Sequence, residues 1–94
     1  MSKVKLTDYV VEFLQKKGIH DFFGYQGTMI AHLVDSIEKN PHVRSHSSYH
    51  EQGAAFAACG YAQAKNACGC AYATSGPGAA NLLSGVADAY FDSL

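Results

Sequence analysis

Helical and strand-like segments alternate along the whole sequence of 94 residues. Apolar residues recur at helical spacing in residues 6–17, 28–39 and 50–66, and a further helix follows Pro77. Between these helices lie three short apolar runs of strand character, at residues 19–23, 43–47 and 68–73. Strands separated by helices pair in parallel through right-handed crossovers. The order αβαβαβα therefore predicts an α/β fold, an open parallel sheet with helices on both faces.

The sheet predicted in this way is not a finished domain. Three strands for four helices leave one edge of the sheet unprotected and one face poorly covered. In the last helix, large apolar residues and one alanine form the predicted buried side: Leu82, Leu83, Val86, Ala89, Tyr90 and Phe91. We therefore interpret residues 1–94 as part of a doubly wound domain.

The composition argues against several classes of protein. Charged residues make up 16% of the chain and the formal net charge is −1, with no basic stripe for nucleic acid. No apolar run has the length of a membrane span, so we expect a cytoplasmic protein without a membrane partner. The three cysteines lack a CxxC pair and are predicted to be reduced thiols. His46 and His50 have a spacing that suits zinc on a helix, but no further ligands complete the set, and we predict no metal site.

The third helix carries a stripe of small residues, Gly53, Ala57, Gly60 and Ala64. An interior glycine costs a helix about 1 kcal/mol relative to alanine, so two of them indicate a close neighbour. The local sheet, a second helix and a ligand are the three alternatives. Gly85 indicates similar close packing in the last helix.

Glu51 stands at the start of the same helix. A carboxylate there complements the helix macrodipole, which explains many such residues without any function. Alternatively, a carboxylate in an apolar crevice has a pKa near neutrality and exchanges a proton with a nitrogen of a ligand.

Two glycine-bearing turns follow predicted strands and precede predicted helices, at residues 24–27 and 75–78. Neither has the P-loop or G-x-G-x-x-G pattern. In an open parallel sheet the carboxyl ends of the strands line the binding crevice. These turns and Glu51 therefore predict one binding site at one edge of the sheet.

Three stretches, in this order, carry a family resemblance: FFGYQGT, YHEQGAAFAACGYAQA and ATSGPGAANLLSGVADAYFDS. They resemble the N-terminal pyrimidine-binding domain of thiamine-diphosphate enzymes, in particular the acetolactate synthase branch. The resemblance runs from Leu6 to Leu94. It implies that Glu51 is catalytic: the glutamate of HEQGAA hydrogen-bonds N1′ of the cofactor's pyrimidine and favours the imino tautomer, which deprotonates C2 of the thiazolium.

The resemblance also implies the residues that approach the cofactor. These are Gly24, Tyr25, Gln26, Gly27, Glu51, Thr74, Ser75, Gly76, Pro77, Gly78 and Asn81. Thr28 and Thr74 match positions that face the substrate in some relatives. The sequence departs from the family in three places: Gln26 stands where proline is usual, Cys59 replaces an acidic residue and Gln63 replaces an arginine. The acidic residue replaced by Cys59 and the arginine replaced by Gln63 are lost together. If the two charges form an ion pair in relatives, the second replacement compensates for the first.

The resemblance further implies what lies outside these residues. Family members continue into a central domain and a diphosphate-binding domain, which holds Mg²⁺ and the cofactor's diphosphate, and they form homodimers or tetramers through these domains. The parent reaction is decarboxylation of a 2-oxoacid and transfer of a two-carbon carbanion. FAD is left open. We expect the 94 residues alone to be inactive. A non-catalytic dimerisation module of the same family is the alternative.

Overall fold

The computed structural model describes residues 3–94. Five α-helices, one 3-10 helix and three strands follow one another in the described residues: α1 (Leu6–Lys16), β1 (Asp21–Gly24), the 3-10 helix (Thr28–Ile30), α2 (Ala31–Lys39), β2 (Arg44–Ser47), α3 (Glu51–Lys65), β3 (Ala71–Tyr72), α4 (Pro77–Asn81) and α5 (Leu83–Phe91).

The strands form one parallel sheet in the order β2-β1-β3. β1 pairs with β2 along its whole length, from Asp21 beside Arg44 to Gly24 beside Ser47. Its other side pairs with β3 at the end of the strand, where Gly24 lies beside Tyr72. The predicted α/β class and open parallel sheet are confirmed.

Neighbouring residues of β1 point to opposite faces of the sheet, and each face has helical partners. On one face, Phe22 belongs to a buried cluster with Val11 of α1 and Ile37 of α2. On the other face, the ring of Phe23 contacts Tyr61 of α3, with centroids 5.7 Å apart. The sheet is therefore covered by α1 and α2 on one side and by α3 on the other.

The boundaries of the predicted elements hold less well than their order. β3 has two residues, whereas residues 68–73 were predicted to be a strand. Gly69, just before it, lies so close to α3 that a Cβ would overlap the carbonyl oxygen of Ala58. The backbone therefore runs in close contact with α3 before it reaches β1, and only Ala71 and Tyr72 pair with that strand.

The buried side predicted for the last helix is wrong for four of its six residues, whereas Leu82 and Ala89 are half-buried. This segment divides into α4 and α5, and Leu83, Val86, Tyr90 and Phe91 are exposed. α5 instead packs on α3 through Gly85, where a Cβ would overlap that of Ala55. Gly85 makes the contact, as the sequence analysis predicted for this glycine. The large side chains of α5 therefore point away from this part of the protein.

The buried side of α3 also differs from its small-residue stripe. Gly53 and Gly60 are exposed, and no atom lies within 4 Å of a Cβ built on either. The buried residues of α3 are Glu51, Ala54, Ala55 and Ala58. Packing of the stripe on the local sheet is therefore excluded among the described residues.

None of the helices in residues 3–94 has the length and apolarity that crossing a membrane requires.

Candidate functional site

The three parallel strands end at one edge of the sheet, and each leads through a loop into a helix. β1 ends at Gly24, β2 at Ser47 and β3 at Tyr72. The helices that follow bring their amino-terminal ends to the same edge. This is the position at which open parallel sheets bind ligands.

Glu51 is held at this edge because α3 begins there. His50 has extended backbone, with φ −146° and ψ 136°, and its Nδ1 accepts a hydrogen bond from the N–H of Gln52 at 3.0 Å. This cap satisfies one of the free N–H groups of the first turn. Glu51 is nevertheless only 9% exposed. A charge that merely complements the macrodipole does not need to be buried.

The carboxylate of Glu51 has a defined partner in Asn81, the last residue of α4. The Asn81 amide Nδ2 donates to Oε1 of Glu51 at 3.1 Å. This hydrogen bond, and next that from the backbone N–H of Glu51 itself, lower the pKa of the carboxyl, whereas burial opposes them. A pKa raised toward neutrality is therefore not what these residues produce on their own.

Thr74 joins the two glycine turns next to this carboxylate. A Cβ on Gly27 would overlap the Thr74 side chain, and one on Gly78 would lie 2.8 Å from Thr74 Cγ2. The same Cβ on Gly78 would lie 3.2 Å from Oε2 of Glu51. The first and third strand-end loops therefore meet around Thr74, and glycine at both positions is what lets them approach.

The structure thus brings together five of the residues that the family resemblance assigned to the site, namely Gly27, Glu51, Thr74, Gly78 and Asn81. The other residues of the two turns lie around them. Gly24 is buried against the ring of Tyr72, so packing within the sheet accounts for its lack of a side chain. Tyr25, Gln26, Ser75, Gly76 and Pro77 are exposed at the same edge.

Thr28 lies on the α2 side of this edge. It begins the 3-10 helix and lines an open depression of about 530 Å³ together with Gln26, Gly27, Ala31, Val34 and Asp35. Gly27 is common to this depression and to the contact with Thr74. Thr28 therefore follows in the chain the glycine against which Thr74 packs.

A second buried carboxylate, Asp21, was not singled out from the sequence. It accepts hydrogen bonds from Arg44 Nε at 3.1 Å and pairs with His46 Nε2 at 2.8 Å. The contact with His46 is the main reason that its pKa is lowered, with smaller contributions from Tyr61 and Arg44, and with burial acting against them. Asp21 begins β1, so this cluster lies at the opposite edge from Glu51. An acidic residue inside the apolar run IHDFF was its signal in the sequence.

The two histidines at the spacing considered for zinc have separate partners. His46 pairs with Asp21, and His50 caps α3. Among residues 3–94, no three His, Cys, Asp or Glu side chains are grouped so that they could hold a metal ion. The three cysteines are free thiols.

Residues 4–94 match the family described as thiamine pyrophosphate enzyme, N-terminal TPP binding domain. The chain belongs to this family. It is 45% identical over its whole length to the probable acetolactate synthase 2, chloroplastic, of Oryza sativa subsp. japonica, of which it covers 14%. Over 96% of its length it is 43% identical to acetolactate synthase 1, chloroplastic, of Zea mays, of which it also covers 14%.

Other acetolactate synthases show the same relation. The chain is 41% identical over 96% of its length to acetolactate synthase, chloroplastic, of Arabidopsis thaliana, of which it covers 13%. The chain therefore spans about one seventh of the length of these relatives. Within the thiamine pyrophosphate enzyme family it resembles the acetolactate synthases, as HEQGAA and TSGPG indicated.

Proposed function

We propose that this chain is the N-terminal part of a thiamine-diphosphate enzyme of the acetolactate synthase kind, in which Glu51 exchanges a proton with N1′ of the cofactor's pyrimidine. The observation that carries the proposal is the position of its carboxylate. Glu51 is buried at the carboxyl edge of a parallel sheet, next to the two glycine turns and in a hydrogen bond with Asn81. The match to the family supports the choice of cofactor.

The residues present fit the pyrimidine half of the cofactor. Its ring nitrogen requires one carboxyl oxygen, and Glu51 supplies it at the carboxyl edge of the sheet. Thr74 packs against Gly27 and Gly78 beside the crevice that we propose for the ring. When bound, thiamine diphosphate supplies the carbon that forms the carbanion. The diphosphate and Mg²⁺ would be held by the diphosphate-binding domain outside this chain.

The direction of the pKa fits an acceptor role for Glu51. With its pKa lowered mainly by the Asn81 amide, the carboxyl is ionised near neutral pH and attracts a proton-bearing nitrogen. Cover from the rest of the protein would remove water from the crevice and raise the pKa, which brings proton exchange within reach. Asn81 therefore lowers the pKa of the Glu51 carboxyl, and the covering surface would raise it.

For the whole protein we propose decarboxylation of a 2-oxoacid followed by transfer of the two-carbon carbanion to an acceptor. We also propose a homodimer or tetramer located in the cytoplasm. Since the chain spans about one seventh of its relatives, we propose that the 94 residues alone do not turn over substrate.

The variant Glu51→Gln, made in the full-length protein, tests the role of the carboxylate. We expect turnover of pyruvate to fall by about 10²- to 10⁴-fold, since loss of a positioned acid–base group has effects of that size. Circular dichroism should show an unchanged fold. Glu38→Gln, an equivalent change at an exposed position of α2, is the matched control and should keep full activity. Near wild-type turnover in Glu51→Gln would refute the role.

A non-catalytic interaction module of the same family is the second candidate. The exposed glycines of α3, Gly53 and Gly60, favour it because they leave a smooth helix surface for a partner. Under this alternative, association would be indifferent both to the cofactor and to Glu51→Gln. A cofactor-dependent association that Glu51→Gln weakens would exclude it.

A further inference from the structure

The residue before Glu51 makes two hydrogen bonds to the first turn of α3. The carbonyl oxygen of His50 accepts one from the N–H of Ala54 at 3.2 Å, and its Nδ1 accepts one from the N–H of Gln52 at 3.0 Å. The first bond closes the first turn of the helix, and the second caps it through the imidazole. One residue therefore supplies two acceptors at the start of this helix.

These two hydrogen bonds lie on either side of Glu51 in the chain. The carbonyl of His50 shares a rigid peptide plane with the N–H of Glu51, and the N–H of Gln52 shares one with the carbonyl of Glu51. A bond to each plane restrains both backbone dihedral angles of Glu51, φ on one side and ψ on the other. His50 therefore restrains the direction in which the Glu51 side chain leaves the backbone.

The imidazole also takes a donor of the kind that first-turn carboxylates bind. Carboxylates interact favourably with the free N–H groups at the start of a helix. In α3 the N–H of Gln52 is bonded to His50, and the carboxylate of Glu51 accepts instead from the Asn81 side chain and from its own backbone N–H. His50 is exposed whereas Glu51 is buried, so the capping contact and the carboxylate occupy different sides of the turn.

We propose that His50 is a positioning residue for Glu51, which fixes the first turn of α3 through its Nδ1 acceptor and with it the carboxylate that meets the cofactor. This inference rests on the proposed function of Glu51. The task that it assigns to His50 is that of a hydrogen-bond acceptor and not of an acid or a base. An imidazole whose Nδ1 accepts carries its ring hydrogen on Nε2 when it is neutral. Another side chain that accepts from the same N–H should therefore replace it.

Three substitutions of His50 separate its acceptor from the stability of the helix. His50→Ala removes the acceptor and leaves alanine, a poor N-cap residue, whereas His50→Gly removes the acceptor at little cost in stability. His50→Asn supplies a new acceptor, since asparagine is among the residues preferred at the N-cap. The matched control is His32→Ala, at an exposed position of α2, which should behave as the wild type throughout.

The test uses the full-length protein and three measurements. Urea unfolding of the apoprotein gives the stability, and isothermal titration calorimetry with thiamine diphosphate and Mg²⁺ gives Kd. The exchange of the C2 proton of the bound cofactor with deuterium, at saturation, reports its activation.

For His50→Ala and His50→Gly we expect Kd to rise about tenfold, the equivalent of one hydrogen bond to a charged group. We expect the exchange to slow about tenfold or more, because small displacements of a positioned group have effects of this size. In His50→Asn both quantities should return to within about threefold of the wild type, because the amide oxygen restores the acceptor.

The outcomes separate the two levels of the proposal. Weaker binding and slower exchange in His50→Gly at near wild-type stability, with recovery in His50→Asn, support the role of His50. Wild-type Kd and exchange in His50→Gly overturn it, because the cap would then serve only the stability of the helix. Equal losses in His50→Gly and His50→Asn overturn it too, since the acceptor would not be what matters. Unchanged exchange in Glu51→Gln contradicts the proposed function itself. Since His50→Gly costs little stability, the role remains testable if His50→Ala does not fold.

Discussion

At the scale of single residues, residues 3–94 contain two buried carboxylates with different surroundings. Glu51 has one neutral amide partner and lies next to glycine turns. Asp21 has Arg44 and His46 as partners, and Tyr61 lowers its pKa further. The partners of Asp21 tie β1, β2 and α3 together, whereas the carboxylate of Glu51 accepts hydrogen bonds from the Asn81 side chain and from its own backbone N–H.

The pH dependence of stability tests this contrast for Asp21. Its pKa is lowered in the folded protein from an ordinary value of 3.8, so the folded state holds the proton less tightly than the unfolded state. The stabilisation is therefore complete above 3.8 and is lost as the pH falls through the lowered pKa.

We expect Asp21→Asn to destabilise the protein near neutral pH and the deficit to shrink below 3.8, measured as urea unfolding midpoints of both proteins. His20→Gln, an exposed neighbour just before β1, is a control for changes at this edge. A deficit that stays constant across this pH range would show that the ionised form of Asp21 is not what stabilises the fold.

How much of the site the sequence predicts follows from the nature of each signal. Glu51 and the turns lie in contiguous stretches with a family resemblance, and Gly27, Thr74 and Gly78 indeed meet. The partner of Asp21 could not be predicted, because Arg44 and His46 reach it only through the pairing of β2 with β1. The lowering of the Glu51 pKa could not be predicted either, since it depends on the amide of Asn81, thirty residues away.

At the scale of elements, periodicity predicts that a helix exists more reliably than which side is buried. In α1, Leu6 and Phe13 are exposed, whereas Val11 is buried. In α5, Gly85 makes the contact with α3 and the large apolar residues point outward. Both cases follow from the same cause, because the sequence of one helix does not specify where its neighbours lie.

The departure at Cys59 and Gln63 has an explanation at this scale. Both residues lie on α3, four positions apart, which places them on neighbouring turns. Burial, and next the carboxylates of Asp88 and Asp92, raise the pKa of the Cys59 thiol. An acidic residue at position 59 would face these carboxylates, and it needs a cation beside it.

A double-mutant cycle tests this pairing. We expect Cys59→Asp alone to destabilise the protein and the addition of Gln63→Arg to recover part of the loss. The interaction energy should be favourable by at least about 0.5 kcal/mol in urea titrations of the four proteins. The matched control for the added cation is Gln52→Arg, on the first turn of α3. Additive single effects would contradict compensation.

At the scale of the whole molecule, Gly53 and Gly60 of the α3 stripe and the exposed side of α5 face open space within residues 3–94. The chain spans about one seventh of the length of its acetolactate synthase relatives. We propose that this stripe contacts another subunit of the proposed dimer or tetramer.

Bulk added to this stripe should weaken the assembly. We expect Gly60→Leu in the full-length protein to shift sedimentation velocity profiles toward smaller species. A Cβ at this position has free space within residues 3–94, but a leucine side chain there would collide with a helix of a partner subunit. Glu38→Leu, which adds an apolar side chain at an exposed position of α2, should leave the profile unchanged. An intact assembly in Gly60→Leu would place the subunit contact elsewhere.

The most direct test of the central claim is the rate at which the C2 proton of bound thiamine diphosphate exchanges with deuterium. It reports activation of the cofactor without requiring the 2-oxoacid or the acceptor to be known. If Glu51 exchanges a proton with the pyrimidine, Glu51→Gln should slow this exchange by about 10²-fold or more while the cofactor remains bound. An exchange rate equal to that of the wild type, at full occupancy, would contradict the account.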